Sequence, residues 1–253
     1  MPKIKSKTIV VLPAYNAALT LEKTINDIPI ECVSEIILVD DKSKDETIKI
    51  SRDVSRKSKI PLIIHEHDKN RGYGGNQKTC YRIALERGAE IIVMLHPDYQ
   101  YDPKLIKHFV DFINEGYFDV MLGSRIRTRH EALLGGMPLY KYISNRVLTF
   151  IENIFSGQNL SEWHTGMRAY KREVLENTDF VRNSEDFLFD SQMLFNILRK
   201  GYKIGEIPVP VRYFPEASSI NFKRSVKYGI GTIFESLKYL KFRIAKKLFR
   251  NIK

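Results

Sequence analysis

Short apolar runs alternate with amphipathic segments through the first half of the chain. The runs are rich in isoleucine, leucine and valine and apolar on both alternating sides, as is typical of parallel strands covered by helices on both faces. They lie at positions 8–12, 35–39, 61–65, 90–95 and 118–123. Helical periodicity occupies the intervals 18–27, 45–57, 75–88 and 103–116. This order predicts an α/β fold, a mostly parallel, doubly wound sheet with right-handed crossovers and helices on both faces.

The second half carries fewer strand signals and more helical ones. Its apolar residues recur mainly at three- and four-residue intervals, the period of an amphipathic helix. Helices are predicted at 138–156 and 186–200, a short connecting segment at 165–170, a strand at 204–213, a polar loop at 214–222 and a basic amphipathic helix at 223–249.

Length and composition limit the class of protein. The chain has 253 residues, of which 43% are hydrophobic and 28% charged, so it can bury a sizeable core and is neither disordered nor fibrous. Cys32 and Cys80 form no CxxC pair, which argues against a disulfide framework or a structural zinc site. No apolar stretch reaches the roughly 20 residues of a spanning helix, and no signal-peptide pattern begins the chain. We therefore predict a cytoplasmic protein.

The positive charge is concentrated near the C-terminal end. Positions 221–253 hold ten lysines and arginines and one glutamate, which supplies most of the formal net charge of +11. A basic amphipathic helix suits an anionic membrane surface, where each cation contributes about 1 kcal/mol. The alternative is a helix that packs its apolar face on the protein and leaves its cations in solvent. No recognised nucleic-acid-binding module accompanies the cations, so we predict no nucleic-acid partner.

Polar residues follow the predicted strands at their carboxyl ends, where open α/β sheets bind ligands. Asp40 and Asp41 follow the second strand, and Asp98 follows the fourth. Each could cap a turn, but their convergence on one sheet edge indicates a crevice for a cation and a nucleotide. The sequence contains no GxGxxG fingerprint, GxxxxGK[ST] loop or GxSxG elbow. This argues against hydride transfer, P-loop phosphoryl transfer and serine hydrolysis.

Four stretches, taken in order, resemble the family 2 glycosyltransferases. They are VLPAYN at 11–16, the doublet Asp40-Asp41 with Ser43, NRGYGGN at 70–76 and HPDYQYDP at 96–103. Within that family the chain is similar to dolichyl-phosphate mannose synthase and its polyprenyl-phosphate relatives, over about residues 8–222. Each stretch alone is weakly specific, whereas the ordered set is specific.

The resemblance implies a GT-A-like fold that binds a nucleoside-diphosphate sugar, a UDP- or GDP-sugar. By this similarity, side chains after the first strand would line the base and ribose pocket. Asp40 would contact the base with Asp41 close to it, and the glycine-rich loop would border the nucleotide. The implied donor-binding residues are Pro13, Tyr15, Asn16, Asp40, Asp41, Gly74 and Asn76.

The resemblance also implies a divalent metal, Mn²⁺ or Mg²⁺. The family motif is Asp-x-Asp followed two positions later by glutamine or another polar residue. Asp98 matches the second aspartate and Gln100 the glutamine, while His96 replaces the first aspartate. Imidazole suits Mn²⁺ better than Mg²⁺, so a site of His96, Asp98 and Gln100 would bind metal weakly with a preference for Mn²⁺. Alternatively, His96 is a turn residue that contacts the ribose or a metal-bound water.

Basic residues are the candidates for binding the acceptor. In the lipid-phosphate subgroup such residues bind the acceptor phosphate, and by similarity Arg125 and Arg146 would do so here; guanidinium recognises phosphate bidentately. The alternative for Arg146 is a solvent-facing position on its helix. Glu162 is a candidate general base if the acceptor is a hydroxyl, whereas an acceptor phosphate is already an anion and needs no base.

These observations predict an inverting, metal-dependent hexosyltransferase that acts on a polyprenyl phosphate at the inner membrane face. Transfer to a saccharide hydroxyl and a catalytically silent nucleotide-sugar-binding protein remain alternatives. The catalytic candidates are Asp98, Arg125 and Glu162. The predicted organisation is a glycosyltransferase domain at 1–222, with a nucleotide-sugar half at about 1–125 and an acceptor half at about 126–222, followed by the basic helix at 223–253.

Overall fold

The computed structural model describes residues 6–126, 128–210 and 222–250. Its strands are β1 (Thr8–Ala14), β2 (Glu35–Asp40), β3 (Leu62–Glu66), β4 (Ile91–Met94), β5 (Val120–Ser124), β6 (Arg168–Lys171) and β7 (Ile204–Pro208). Its α-helices are α1 (Leu21–Asn26), α2 (Thr47–Lys57), α3 (Gly72–Glu86), α4 (Ile106–Asn114), α5 (Arg129–Leu134), α6 (Leu139–Ser156), α7 (Arg172–Asn177), α8 (Phe189–Lys200) and α9 (Phe222–Arg250). Single 3₁₀ turns lie at Pro103–Leu105 and Phe180–Arg182.

The strands form one sheet in the order β3-β2-β1-β4-β6-β5-β7. Every neighbouring pair is parallel except those that involve β6, which runs antiparallel to β4 and to β5. The mostly parallel sheet is therefore confirmed. The antiparallel strand was not predicted, because its four residues are too few to show a strand period.

Alternate residues of β1 face different layers, which explains why its sequence is apolar throughout. Ile9 and Val11 pack in the layer that contains α3 and α8. Val10 and Leu12 pack in the opposite layer with α1 and α4. Helices thus cover both faces of the sheet, as predicted.

β1 extends two residues beyond its predicted end and includes Pro13. The strand pairs with β4 only as far as Val11, whereas its pairing with β2 continues to Ala14. The carbonyl of Ala14 faces β2, so the nitrogen of Pro13 faces β4. Leu95, just after β4, donates its N–H to the carbonyl of Val11 at 3.1 Å, and the next bond of this parallel ladder would come from the N–H of residue 13. Proline lacks that N–H, so the pairing of β1 with β4 ends at this point.

Other predicted boundaries shift by a few residues. α3 begins three residues earlier than predicted, at Gly72, and both α1 and α8 begin three residues later, at Leu21 and Phe189. The short helices α5 and α7 were not predicted. β7 ends at Pro208, and residues 211–221, which include most of the predicted loop, lie outside the described residues.

Strands from the two predicted halves alternate in the sheet. β6, from the acceptor half, lies between β4 and β5, while β5 lies between β6 and β7. Both halves therefore share one hydrogen-bonded sheet. In the described part of the chain, no helix combines the length and apolarity needed to cross a membrane.

Candidate active site

A cavity of about 880 Å³ opens at the carboxyl ends of the strands. Loops after β1, β2, β4 and β5 form one side, and α6 and the start of α9 form the other. Most predicted site residues meet on its wall. These are Pro13, Tyr15, Asn16, Asp41, Asn76, His96, Asp98, Gln100 and Arg125. Asp40, Gly74, Arg146 and Glu162 are not part of the wall.

Backbone strain marks three of the strand ends around this cavity. Asn16, Lys42 and Tyr99 have φ angles of 51°, 64° and 56° and follow β1, β2 and β4. Left-handed backbone costs an ordinary L-residue roughly 1–2 kcal/mol, and such residues cluster at functional sites. Tyr99 is held by tertiary contacts, since its hydroxyl bonds to Asp27 and the ammonium of Lys23 lies 4.2 Å from its ring centroid.

The two adjacent aspartates anchor loops. Asp41 accepts hydrogen bonds from the backbone N–H groups of Arg71 and Gly72, at 2.7 and 2.9 Å, and thereby fixes the start of α3. Asp40 is buried and accepts from the backbone N–H of Ser43 at 2.9 Å and from its hydroxyl. The predicted contact of Asp40 with a base stays a prediction, because its carboxylate is directed into this turn.

Asn76 and Gly74 brace the sheet edge beneath the cavity. The amide of Asn76 donates to the carbonyls of Ala14 and Val39, at 3.2 and 3.0 Å, and so joins β1, β2 and α3. Gly74 packs so tightly that a Cβ there would lie 2.3 Å from the carbonyl oxygen of Ser184. Glycine is needed here for close backbone packing, and Gly74 does not reach the cavity.

The loops after β1 and β4 bring an aromatic ring and a carboxylate to the cavity wall. Tyr15 is 44% exposed, and Asp98 and Gln100 lie on the wall, where Asp98 accepts from the backbone N–H of Gln100 at 3.1 Å. Among residues 6–126, 128–210 and 222–250, no three His, Cys, Asp or Glu side chains are grouped to hold a metal. The predicted binding of a cation by His96, Asp98 and Gln100 therefore stays a prediction.

His96 belongs to a half-buried chain of hydrogen bonds. Its Nε2 lies 3.0 Å from the hydroxyl of Tyr73, which donates to Asp190 at 2.8 Å. Because that hydroxyl has one proton, His96 carries its own proton on Nε2 and its lone pair on Nδ1. Burial lowers the pKa of His96 below its ordinary 6.5, despite the nearby Asp98 and Asp190 carboxylates. The ring is therefore a neutral dipole, and whether it binds metal through Nδ1 stays a prediction.

Glu162 is the counter-ion of Arg125. It is 0% exposed, and its carboxylate accepts from the backbone N–H of Arg125 at 2.6 Å, from its Nε at 2.9 Å and from the amide of Asn145 at 2.9 Å. Burial alone would raise the pKa of Glu162, but the Arg125 charge and these hydrogen bonds lower it below 4.5. This ion-paired, buried carboxylate is poorly placed to act as a general base, so the base prediction finds no geometric support.

Arg146 lies outside the cavity, in agreement with the alternative of a solvent-facing position, and Lys141 lies on the cavity wall. Arg146 is exposed and donates to the carbonyl of Ser161 at 2.7 Å, whereas Lys141, one and a half turns earlier on α6, lines the cavity. Burial and the neighbouring Arg125 lower the pKa of Lys141 below 10.5. Lys141 precedes Asn145 by four residues, one helical turn, and a helical wheel through Asn145 would have identified it.

Residues 9–178 match the model of the family described as glycosyl transferase family 2. The chain belongs to this family. It is 30% identical over 210 residues to an uncharacterized protein of Methanocaldococcus jannaschii, covering 83% of each chain. It is 28% identical over 214 residues to the UDP-N-acetylglucosamine–dolichyl-phosphate N-acetylglucosaminyltransferase of Methanococcus voltae, covering 80% of this chain and 84% of that one.

The fold is also similar to that of a solved enzyme. Glucosyl-3-phosphoglycerate synthase from Mycobacterium tuberculosis, in complex with Mn²⁺, UDP-glucose and phosphoglyceric acid, superposes with a TM-score of 0.68. The alignment is 17% identical and covers 92% of this chain and 80% of that one. The GT-A-like fold is thus confirmed, and the chain is a nucleotide-sugar glycosyltransferase of family 2.

We predict that the loops after β1, β2 and β4, with Tyr15 and Asp98, form a donor end of this cavity and that Arg125, Lys141 and residues of α9 form an acceptor end. Tyr73, Lys141 and Tyr228 also line the cavity. They were not predicted as site residues, because a tyrosine or lysine on an amphipathic helix carries no signal of its own.

Proposed function

We propose that the chain transfers a sugar from a nucleoside-diphosphate sugar to a polyprenyl phosphate, with inversion at the anomeric carbon. One observation carries the proposal: Arg125 and Lys141 line the same cavity as apolar side chains of α6 and α9. A polyprenyl phosphate pairs an anionic head with an apolar chain in the same way. The Methanococcus voltae relative is named for transfer to dolichyl phosphate, and the mycobacterial enzyme was crystallised with a phosphorylated acid.

At the donor end, Tyr15 offers an exposed ring on which a nucleobase can stack. Asp98 and Gln100 supply oxygens, the donor type that Mg²⁺ and Mn²⁺ accept, so the residues present fit a cation that is shared with a diphosphate. When bound, such a cation would neutralise the charge that develops on the leaving diphosphate. Asp98 would hold and orient the donor in this arrangement.

At the acceptor end, the charges favour a phosphate over a hydroxyl. Arg125 presents a guanidinium fixed by Glu162, and Lys141 adds a second cation. A phosphate oxygen attacks the anomeric carbon without losing a proton, so no general base is required. A saccharide hydroxyl would need one, and the candidate, Glu162, is occupied by its ion pair.

The helices α6 and α9 have an inverted polarity: many of their buried side chains are polar, and many of their exposed side chains are apolar. The buried residues of α6 are Asn145, Thr149, Glu152 and Ser156. Its exposed side chains include Leu139, Tyr140, Ile143, Val147, Phe150 and Ile154. α9 packs against α6 and largely repeats the pattern, with Thr232, Glu235, Ser236 and Tyr239 buried and Val226, Ile230, Ile233, Phe234, Leu237, Ile244 and Leu248 exposed.

The inverted polarity supports a lipid surface as the partner of this face. Exposed cations such as Lys227, Lys241 and Lys247 flank the apolar stripe of α9, the arrangement that anionic lipid headgroups attract. Tyr140, Ile143 and Val226 belong both to the exposed apolar face and to the cavity wall. We therefore propose that the enzyme docks on an anionic membrane and receives its acceptor from there.

Transfer assays on the full chain test the reaction. UDP- and GDP-sugars are offered with Mn²⁺ or Mg²⁺, together with either a polyprenyl phosphate or an oligosaccharide. We expect a lipid-linked sugar, and we expect Lys141→Ala to raise the acceptor KM about tenfold, because a phosphate contact is lost. The matched control is Arg146→Ala, on the same helix but away from the cavity. Transfer to the oligosaccharide alone, or donor binding without turnover, would contradict the proposal.

Vesicle flotation tests the membrane partner. We expect the chain to float with vesicles of phosphatidylcholine and phosphatidylglycerol, and to float less with phosphatidylcholine alone. Phe150→Ser combined with Phe234→Ser should abolish flotation. Val181→Ser removes an exposed apolar side chain elsewhere and is the control. Equal flotation of both variants would refute the docking face.

A further inference from the structure

Tyr228 connects α9 to the acceptor end of the cavity. It lines the cavity, and its hydroxyl forms a hydrogen bond with Nδ1 of His164. The two rings meet edge to face, with centroids 5.4 Å apart and an interplanar angle of 80°. Burial raises the pKa of the Tyr228 hydroxyl, so this group remains a donor.

His164 also lies against α6. Its Nε2 is 3.1 Å from a carboxylate oxygen of Glu152, which is fully buried, but the two atoms do not form a hydrogen bond. The other oxygen of Glu152 accepts from the hydroxyl of Ser191 on α8 at 2.9 Å. The hydrogen bond from Tyr228 is therefore the directional contact that orients the His164 ring among these neighbours.

The same histidine supports Arg125 through its backbone. The carbonyl oxygen of His164 accepts a hydrogen bond from the Arg125 guanidinium at 2.6 Å. Glu162, two residues earlier, holds the guanidinium at Nε. The segment 162–164 therefore orients Arg125 at two points, and Tyr228 is among the contacts that orient this segment.

We propose that Tyr228 and His164 are positioning residues through which α9 holds Arg125 in the orientation that binds the acceptor phosphate. The role in acceptor binding rests on the proposed function; the mechanical link does not. Neither residue acts on the reacting atoms. The link connects α9, which would lie on the membrane, to the guanidinium of Arg125, which would bind the lipid phosphate. Membrane binding and acceptor binding are therefore linked by a coupling free energy.

Steady-state kinetics of Tyr228→Phe test the link, since this change removes the hydroxyl and keeps the ring. We expect the acceptor KM to rise about tenfold, while the donor KM and kcat stay within about twofold. Tyr239→Phe is the matched control, a buried tyrosine of α9 outside the cavity wall. His164→Leu should reproduce the defect, and His164→Asn, whose Oδ1 can accept in place of Nδ1, should recover most of it. An equal effect of the two tyrosine variants, or an effect on donor KM alone, would overturn the proposal.

A double-mutant cycle asks whether Tyr228 acts through Arg125. In an Arg125→Ala background, Tyr228→Phe should cause no further rise in acceptor KM, because the group that it positions is gone. A full additional rise would show that Tyr228 acts elsewhere and would overturn the proposal.

Amide hydrogen exchange of the full chain supplies a readout that does not depend on transfer. The backbone N–H of Arg125 donates to Glu162, so a loosened segment should exchange faster at positions 124–126, by about fivefold in Tyr228→Phe. Tyr239→Phe should leave these positions unchanged. If the wild type transfers no sugar to a polyprenyl phosphate, the proposed function fails, while this measurement still decides the mechanical link. Unchanged exchange in Tyr228→Phe would overturn it.

Discussion

Glu162→Gln removes a negative charge from the centre of the acceptor end. The carboxylate is fully buried and receives four hydrogen bonds, three from Arg125 and one from Asn145. Breaking a buried ion pair by removing one partner costs about 3–5 kcal/mol. The retained amide oxygen can still accept one of these bonds, so we expect about 3 kcal/mol. For a chain of this size that corresponds to a fall in Tm of roughly 6–12 °C.

The pH dependence of this loss has a definite sign. The folded pKa of Glu162 lies below 4.5, so its ionised form stabilises the protein above about pH 4.5. That stabilisation disappears as the pH falls through the folded pKa. The wild type should therefore approach the stability of Glu162→Gln at acid pH, while the two differ most near pH 7.

Thermal unfolding of the wild type and Glu162→Gln between pH 3 and 7 measures both effects. Glu86→Gln is the control, because its carboxylate is 66% exposed and pairs with Arg82 at the surface, where ion pairs contribute roughly 0–1 kcal/mol. A difference at pH 7 no larger than that of the control would refute the reasoning. So would a difference that does not shrink at acid pH.

Three further predictions test other parts of the site. Asp98→Asn should weaken Mn²⁺-dependent binding of UDP or GDP at least about tenfold by calorimetry, and unchanged affinity would exclude Asp98 as a ligand. Gly74→Ala should lower the free energy of unfolding, measured in urea, by at least about 1–3 kcal/mol, because its Cβ would meet a backbone oxygen at 2.3 Å. Gly229→Ala on α9 is the control. Its Cβ would lie 3.9 Å from Leu148, so this change should be neutral or stabilising. Because the pKa of Lys141 lies below 10.5, acceptor binding should weaken with rising pH before an ordinary lysine would titrate, and Lys141→Arg should remove this dependence in a KM–pH profile.

The sheet was predictable because its parallel strands are buried on both faces. β1 is apolar from Ile9 to Ala14 and β2 from Ile36 to Val39, the pattern of strands that are covered on both faces. β6 escaped prediction because its short sequence includes a buried arginine, Arg168, which a strand pattern would not suggest. Arg168 is tolerated there because it pairs with Asp190, 3.6 Å away, and donates to backbone carbonyls.

The site could be located from the sequence more reliably than its parts could be assigned. The carboxyl ends of the strands bring Tyr15, Asp41, Asp98 and Arg125 to one cavity, as the order of elements requires. Which side chain then faces the ligand depends on tertiary contacts. Arg146 illustrates the difference, because a shift of one position from Asn145 moves it about 100° around α6 and out of the cavity.

The central place of β6 restricts how such enzymes can be recombined. A chimera that takes residues 1–125 from one family member and the remainder from another would have to form new ladders on both sides of β6. Grafting the exposed loops, or α6 and α9 as a pair, leaves those ladders intact. New acceptor preferences are therefore most readily introduced by exchanging these loops and helices and leaving the strands unchanged.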